Sequence, residues 1–135
     1  MKNKDLAREV AQLLATQPGF TITAAGEPVP SGFTVGGLRR ETGDALARFP
    51  QPTNRAQLDA LTHAIEATLN NVTDLLREGA YLGGWRENNE LVLDLVTVTR
   101  GQKRAAKLAM EREQLAYGQI ENYQYVREWR VNNGN

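Results

Sequence analysis

The stretch Tyr81 to Thr99, YLGGWRENNELVLDLVTVT, decides how the chain folds. Leu91, Leu93 and Leu95 alternate with Val92, Asp94 and Val96, and the β-branched Val98 and Thr99 continue the run, so both faces are largely apolar. Such a strand is expected inside a sheet, covered on both sides. Ahead of it Tyr81 and Trp85 flank Gly83-Gly84, and Glu87-Asn88-Asn89-Glu90 supplies a tight turn, which makes 81–99 a hairpin. Glycines within a strand mark a bulge or a close approach by a helix, a ligand or another backbone. Asp94 shares its face with Val92, Val96 and Val98, where an ionised carboxylate needs a partner to offset desolvation. An arginine or backbone amides would satisfy it structurally; the alternative is a small enzyme with its site near Asp94 and the glycines.

At 135 residues and 15.0 kDa the chain fits one domain, expected over 1–131, with a disordered tail at 132–135. Sixteen basic and sixteen acidic side chains cancel, so bulk charge gives no argument for nucleic-acid or membrane binding and leaves that role to local patches. Without cysteine there are no disulfides, thiolate ligands or cysteine nucleophiles. The start, MKNKDLAREVAQLL, lacks the apolar core of a signal peptide, and no apolar run approaches the roughly 20 residues that span a bilayer. A soluble, cytoplasmic protein without membrane contact or cofactor is the expectation.

Taken in order, Leu6, Val10, Leu13 and Leu14 place an amphipathic helix at 4–16, ended by Pro18-Gly19. Phe20 to Thr23 and Phe33 to Val35 read as the strands of a first hairpin, and Ala45 to Phe49 as a further short strand. Asn54 with Gln57 forms a capping box for a long helix over 55–78, with a break or kink expected at Asn70-Asn71 and a stop at Gly79. A helix follows the central hairpin, and Leu115 to Tyr117 with Tyr123 to Val131 form a last hairpin around Glu121-Asn122. The fold class is α+β: a mainly antiparallel sheet with three helices in the order α-β-β-(β)-α-β-β-α-β-β, read as three helix-then-hairpin units.

No complete catalytic or metal-binding signature is present. The single histidine, His63, falls opposite Leu58, Leu61 and Ile65 and lacks a second ligand or a nucleophile. Arg100, Lys103, Arg104 and Lys107 recur at i, i+3, i+4 and i+7, stacking four cations on one helix face with no intervening acid. Arg39 and Arg40 follow Gly36-Gly37 without the spacing of a phosphate-binding loop and could extend that patch. Tyr81, Trp85, Tyr125 and Trp129, with Arg86, are residue types favoured at binding hot spots.

Gly19-Phe20, Pro30-Ser31-Gly32-Phe33-Thr34-Val35, Tyr81-Leu82-Gly83-Gly84-Trp85, Leu93-Asp94 and Gln114-Leu115-Ala116-Tyr117 together resemble small accessory proteins of bacteriophages, prophages and plasmids. In that group a glycine is common where Glu113 stands. The resemblance brings no activity. It implies an accessory protein that binds, and thereby inhibits or occupies, a host or phage protein. Three function classes follow: a protein-binding accessory factor using the aromatics, a nucleic-acid-binding module using the basic helix face, and the enzyme near Asp94. A homodimer through the Leu58 to Leu75 helix or the last strand stays open.

Overall fold

The hairpin at 81–99 forms the centre of the sheet. β4 (Tyr81–Glu87) pairs antiparallel with β5 (Glu90–Thr99) from Tyr81↔Val96 to Glu87↔Glu90. Asn88 and Asn89 between them both take positive φ, 52° and 66°, as a two-residue primed turn requires. The computed structural model describes residues 1–38, 45–114 and 117–120, and the backbone of 124–126. These residues form four helices and seven strands, an α+β fold built on one antiparallel sheet.

β5 is paired along both edges. Beyond β4 lies β1 (Gly19–Ile22), in register from Gly19↔Trp85 to Ile22↔Leu82. The other edge of β5 is shared end to end: β3 (Ala47–Pro50) pairs with Glu90–Leu93 and β2 (Phe33–Val35) with Thr97–Thr99. β6 (Tyr117–Gln119) and β7 (Gln124–Val126) continue outward from β2. The expectation that Phe20 to Thr23 and Phe33 to Val35 pair as a hairpin is therefore corrected. β1 and β2 sit on opposite sides of the β4–β5 hairpin, and the segment after β1 folds back on its own strand, with Val29 N–H donating to the Thr21 carbonyl and a bridge between Ile22 and Pro28. The three helix-then-hairpin units accordingly give way to one interleaved sheet.

Gly84 explains why β1 goes to β4. It lies opposite Phe20, and a Cβ there would run into the Phe20 ring and come 2.9 Å from Leu14 Cδ2. The absent side chain is the space into which Phe20 packs beneath α1 (Asn3–Thr16). α1 buries Leu6, Ala7, Val10, Ala11 and Leu14 against the Leu91, Leu93 and Leu95 face of β5 and against α2 (Arg55–Asn70), which contributes Leu61, Ile65 and Leu69. Asn54 Oδ1 accepts from Gln57 N–H at 2.9 Å, while Gln57 Oε1 accepts from the Thr53 backbone N–H at 2.7 Å. The long helix expected over 55–78 is broken at Asn71-Val72, and α3 (Thr73–Arg77) follows as a separate short helix. The break serves the packing of α1: Asn3 Nδ2 donates to Asn70 Oδ1 and to Thr73 Oγ1.

α4 (Gln102–Glu111) forms a second, smaller core, in which Ala105, Ala106 and Ala109 pack on Val35 and Tyr117, and Phe33 meets Tyr117 edge to face at 5.9 Å. Its end is a Schellman turn, with Glu113 N–H donating to the Met110 carbonyl and Gln114 N–H to the Ala109 carbonyl, and Glu113 held at φ 56°. A glycine there would avoid the left-handed penalty of about 1 kcal/mol.

Two stability changes of opposite sign follow. Gly84→Ala should lose about 1–3 kcal/mol in urea unfolding, as overpacking does; a loss under about 0.5 kcal/mol would show that Phe20 is not held as described. Glu113→Gly should gain about 1 kcal/mol in the same measurement, and a loss would contradict the assignment of that turn.

Candidate functional site

Between β2 and β3 no described strand pairs with β5 at Asp94, Leu95 and Val96, and the carboxylate of Asp94 turns to backbone amides there. Asp94 is only 6% exposed, and its Oδ1 accepts from Leu46 N–H at 3.1 Å and Leu95 N–H at 2.9 Å. Leu46 immediately precedes β3, so the side chain takes over the acceptor role that a ladder carbonyl would play. Gly36, just past β2, lies so close that a Cβ would overlap Asp94 Oδ2. Arg112 Nη1 donates to the Val35 and Gly36 carbonyls at 3.2 and 3.3 Å, which ties the end of α4 to the same place. Asp94 thus ties the start of β3 to the middle of β5 by a charge-assisted bond to the Leu46 amide, and also caps the amide of its own neighbour Leu95.

On the face of the sheet away from α1 and α2, Gly83, Trp85, Val96 and Thr34 face a cleft also reached by Thr21 and Gly118. β1 and β6 stand at remote places in the strand order yet line the same cleft, so the sheet is strongly curled. The space is only about 30 Å³, room for a water or two and not for a substrate. Asp94 is not among its lining residues. Tyr81 and Trp85 are half-buried, and Trp85 Nε1 donates to Glu87 Oε2 at 3.2 Å. Arg86 is exposed but engaged: its Nη2 donates to the Ala15 carbonyl at 2.7 Å and lies 3.5 Å from that of Leu14, so it closes the carboxyl end of α1.

Arg100, Lys103, Arg104 and Lys107 are all exposed, and none makes an ion pair among the described residues. The expectation of four cations on one helix face is corrected for Arg100: Gly101 is the N-cap, so Lys103, Arg104 and Lys107 lie on α4 and Arg100 stands just before it. The opposite face of α4 is the alanine seam, which leaves the helix no freedom to turn its cations inward. Its first turn carries no acid and its N-cap, Gly101, brings no side-chain cap, so the positive end of the helix adds to the same potential. α4 stands between two clefts that share Arg104 and Leu108. One, of about 460 Å³, is lined also by Lys103, Lys107 and Glu111; the other, of about 610 Å³, by Arg100, Gly101, Arg112 and the end of β5. Arg112 was not singled out in the sequence. Its signal is the four-residue step from Arg104 through Leu108 to Arg112.

Of the other sequence candidates, Arg39, Arg40 and Trp129 lie outside the described residues, as do the side chain of Tyr125 and the tail at 132–135. His63 is exposed on α2. A further groove of about 490 Å³, between Pro50–Thr53 and Ala60, Leu61 and Ala64 of α2, is uncharged and was not foreseen. Among the described residues no three His, Asp or Glu side chains come together to hold a metal ion, and no helix is long and apolar enough to cross a membrane. Comparison with models of known families, with curated proteins and with solved structures finds no match.

If Asp94 is a bracket between strands, Asp94→Ala should cost about 2–4 kcal/mol, because two backbone amides lose a charged acceptor, and Asp94→Asn, which keeps one acceptor oxygen, should cost less. Chemical denaturation of the three proteins checks this; an Ala variant as stable as the parent would contradict it.

Proposed function

We propose that the protein acts by binding, and that it holds nucleic acid on the cationic outer face of α4. The observation that carries this reading is the group of Lys103, Arg104 and Lys107 on α4 with Arg100 just before its N-cap: four exposed cations, unpaired among the described residues, beside a helix whose other face is fixed by Ala105, Ala106 and Ala109. From Lys103 to Lys107 the helix rises about 6 Å, a length along which B-DNA presents about two phosphates per strand, and Arg100 extends the reach beyond the start of the helix. The chain has zero formal net charge, so the attraction is local and the acids elsewhere orient the encounter.

A protein partner held through Tyr81 and Trp85 has weaker support. Both rings are half-buried, and Met1 and Met110 are the exposed large hydrophobic side chains among the described residues, so that face offers no exposed aromatic anchor. An enzyme near Asp94 has the least support, since the carboxylate is packed against Gly36 and bonded to backbone amides.

Fluorescence anisotropy with a labelled duplex of about 20 base pairs tests the reading. Four phosphate contacts predict that log K falls against log salt with a slope of about −3 to −4, and that Lys107→Ala flattens it by about 0.9. Affinity independent of salt, or unchanged when Lys103, Arg104 and Lys107 are replaced together by alanine, would contradict it.

A further inference from the structure

The two flanks of α4 differ in chemistry. On one side Lys103 and Lys107 share their cleft with the carboxylate of Glu111. On the other, Arg100, Arg104 and Arg112 line a cleft of about 610 Å³ with no acidic side chain among the described lining residues, a size within the range of small-ligand sites. Arginine and lysine are not equivalent towards phosphate: guanidinium offers a planar fork that engages two oxygens at once, whereas an ammonium acts as a point charge. The three arginines are also differently held. Arg112 is half-buried and oriented by the carbonyls of Val35 and Gly36, which makes it a fixed wall, while Arg100 and Arg104 are exposed and able to close over a ligand. Between them the backbone of Gly101 is bare, and a Cβ built there would meet nothing within 4 Å.

We propose that this arginine cleft is a seat for a phosphodiester group of the bound nucleic acid, taken between Arg100 and Arg104 and backed by Arg112. Lys103 and Lys107 on the far flank then contact neighbouring phosphates by charge alone. The inference rests on the nucleic-acid reading above and adds to it a place and a geometry. It makes the site dependent on arginine and not only on positive charge.

Anisotropy with the same labelled duplex separates the two. Arg104→Lys keeps the charge but loses the fork and should weaken binding about tenfold, whereas Lys107→Arg should stay within about twofold of the parent. Gly101→Asp puts a carboxylate at the mouth of the cleft and should weaken binding at least about tenfold. Its backbone, at φ −101° and ψ 137°, suits an aspartate N-cap, so its melting temperature should be unchanged or raised, which distinguishes blocked binding from misfolding. Inorganic phosphate at constant ionic strength should compete with the duplex for the parent protein and less well for Arg104→Lys. Parent-like affinity of both Arg104→Lys and Gly101→Asp would overturn the seat and leave the nucleic-acid reading in place. Failure of the parent to bind duplex or single strand, with phosphate protecting it against thermal unfolding, would overturn both and leave a small-anion site.

Discussion

The structure depends on how the far edge of β5 is shared. Two short strands, β2 and β3, take opposite ends of one long strand, and neither covers its middle. An open edge inside a sheet leaves polar groups without a ladder partner, and a buried backbone amide left unbonded costs on the order of 1–3 kcal/mol. The carboxylate of Asp94 resolves this locally by accepting from Leu46 and Leu95, and Gly36 leaves it room. Arg112 fastens the end of α4 to the carbonyls beside the same opening. The end of the cationic helix is therefore fastened beside that opening.

The attachment of α4 also decides which of its faces is exposed. Three buried alanines bring the helix close to β2 but bury little apolar area, so the helix is held as much by Arg112, by the Gln102 side-chain bond to the Tyr117 hydroxyl and by its Schellman end as by hydrophobic packing. A left-handed glutamate at that end adds strain that a glycine would remove. Lys103, Arg104 and Lys107 side by side on such a helix, with Arg100 just before it, repel one another, and a partner of opposite charge is the reason we propose for their placement.

Much of the fold was legible because local chemistry agreed with tertiary placement. The two asparagines of the turn, the double-sided apolar run of β5, the Asn54 cap and the α1 stripe each had a local signal that the structure keeps. Strand partners were not legible. Sequence proximity favoured a hairpin of β1 with β2, yet the space left by Gly84 for Phe20 outweighed it, and that is a contact across more than sixty positions. The division of β5 between two strands likewise has no signature beyond a charged residue in an apolar strand, and Asp94 read as an anomaly became the bracket. The helix at the candidate site starts after Arg100, but its Lys103, Arg104 and Lys107 were visible from their spacing alone. The cleft on its arginine side was not, because Arg112 joins it only through the turn that ends α4.

The central claim, that the cationic face of α4 is the contact surface, is tested most directly by following backbone amide resonances during titration with a short nucleic-acid duplex. The account predicts shifts concentrated between Thr99 and Leu108, with Arg112 and its carbonyl partners Val35 and Gly36 beside them, and little change across α1 and α2. Shifts centred on Tyr81 and Trp85, or spread evenly over the surface, would contradict it.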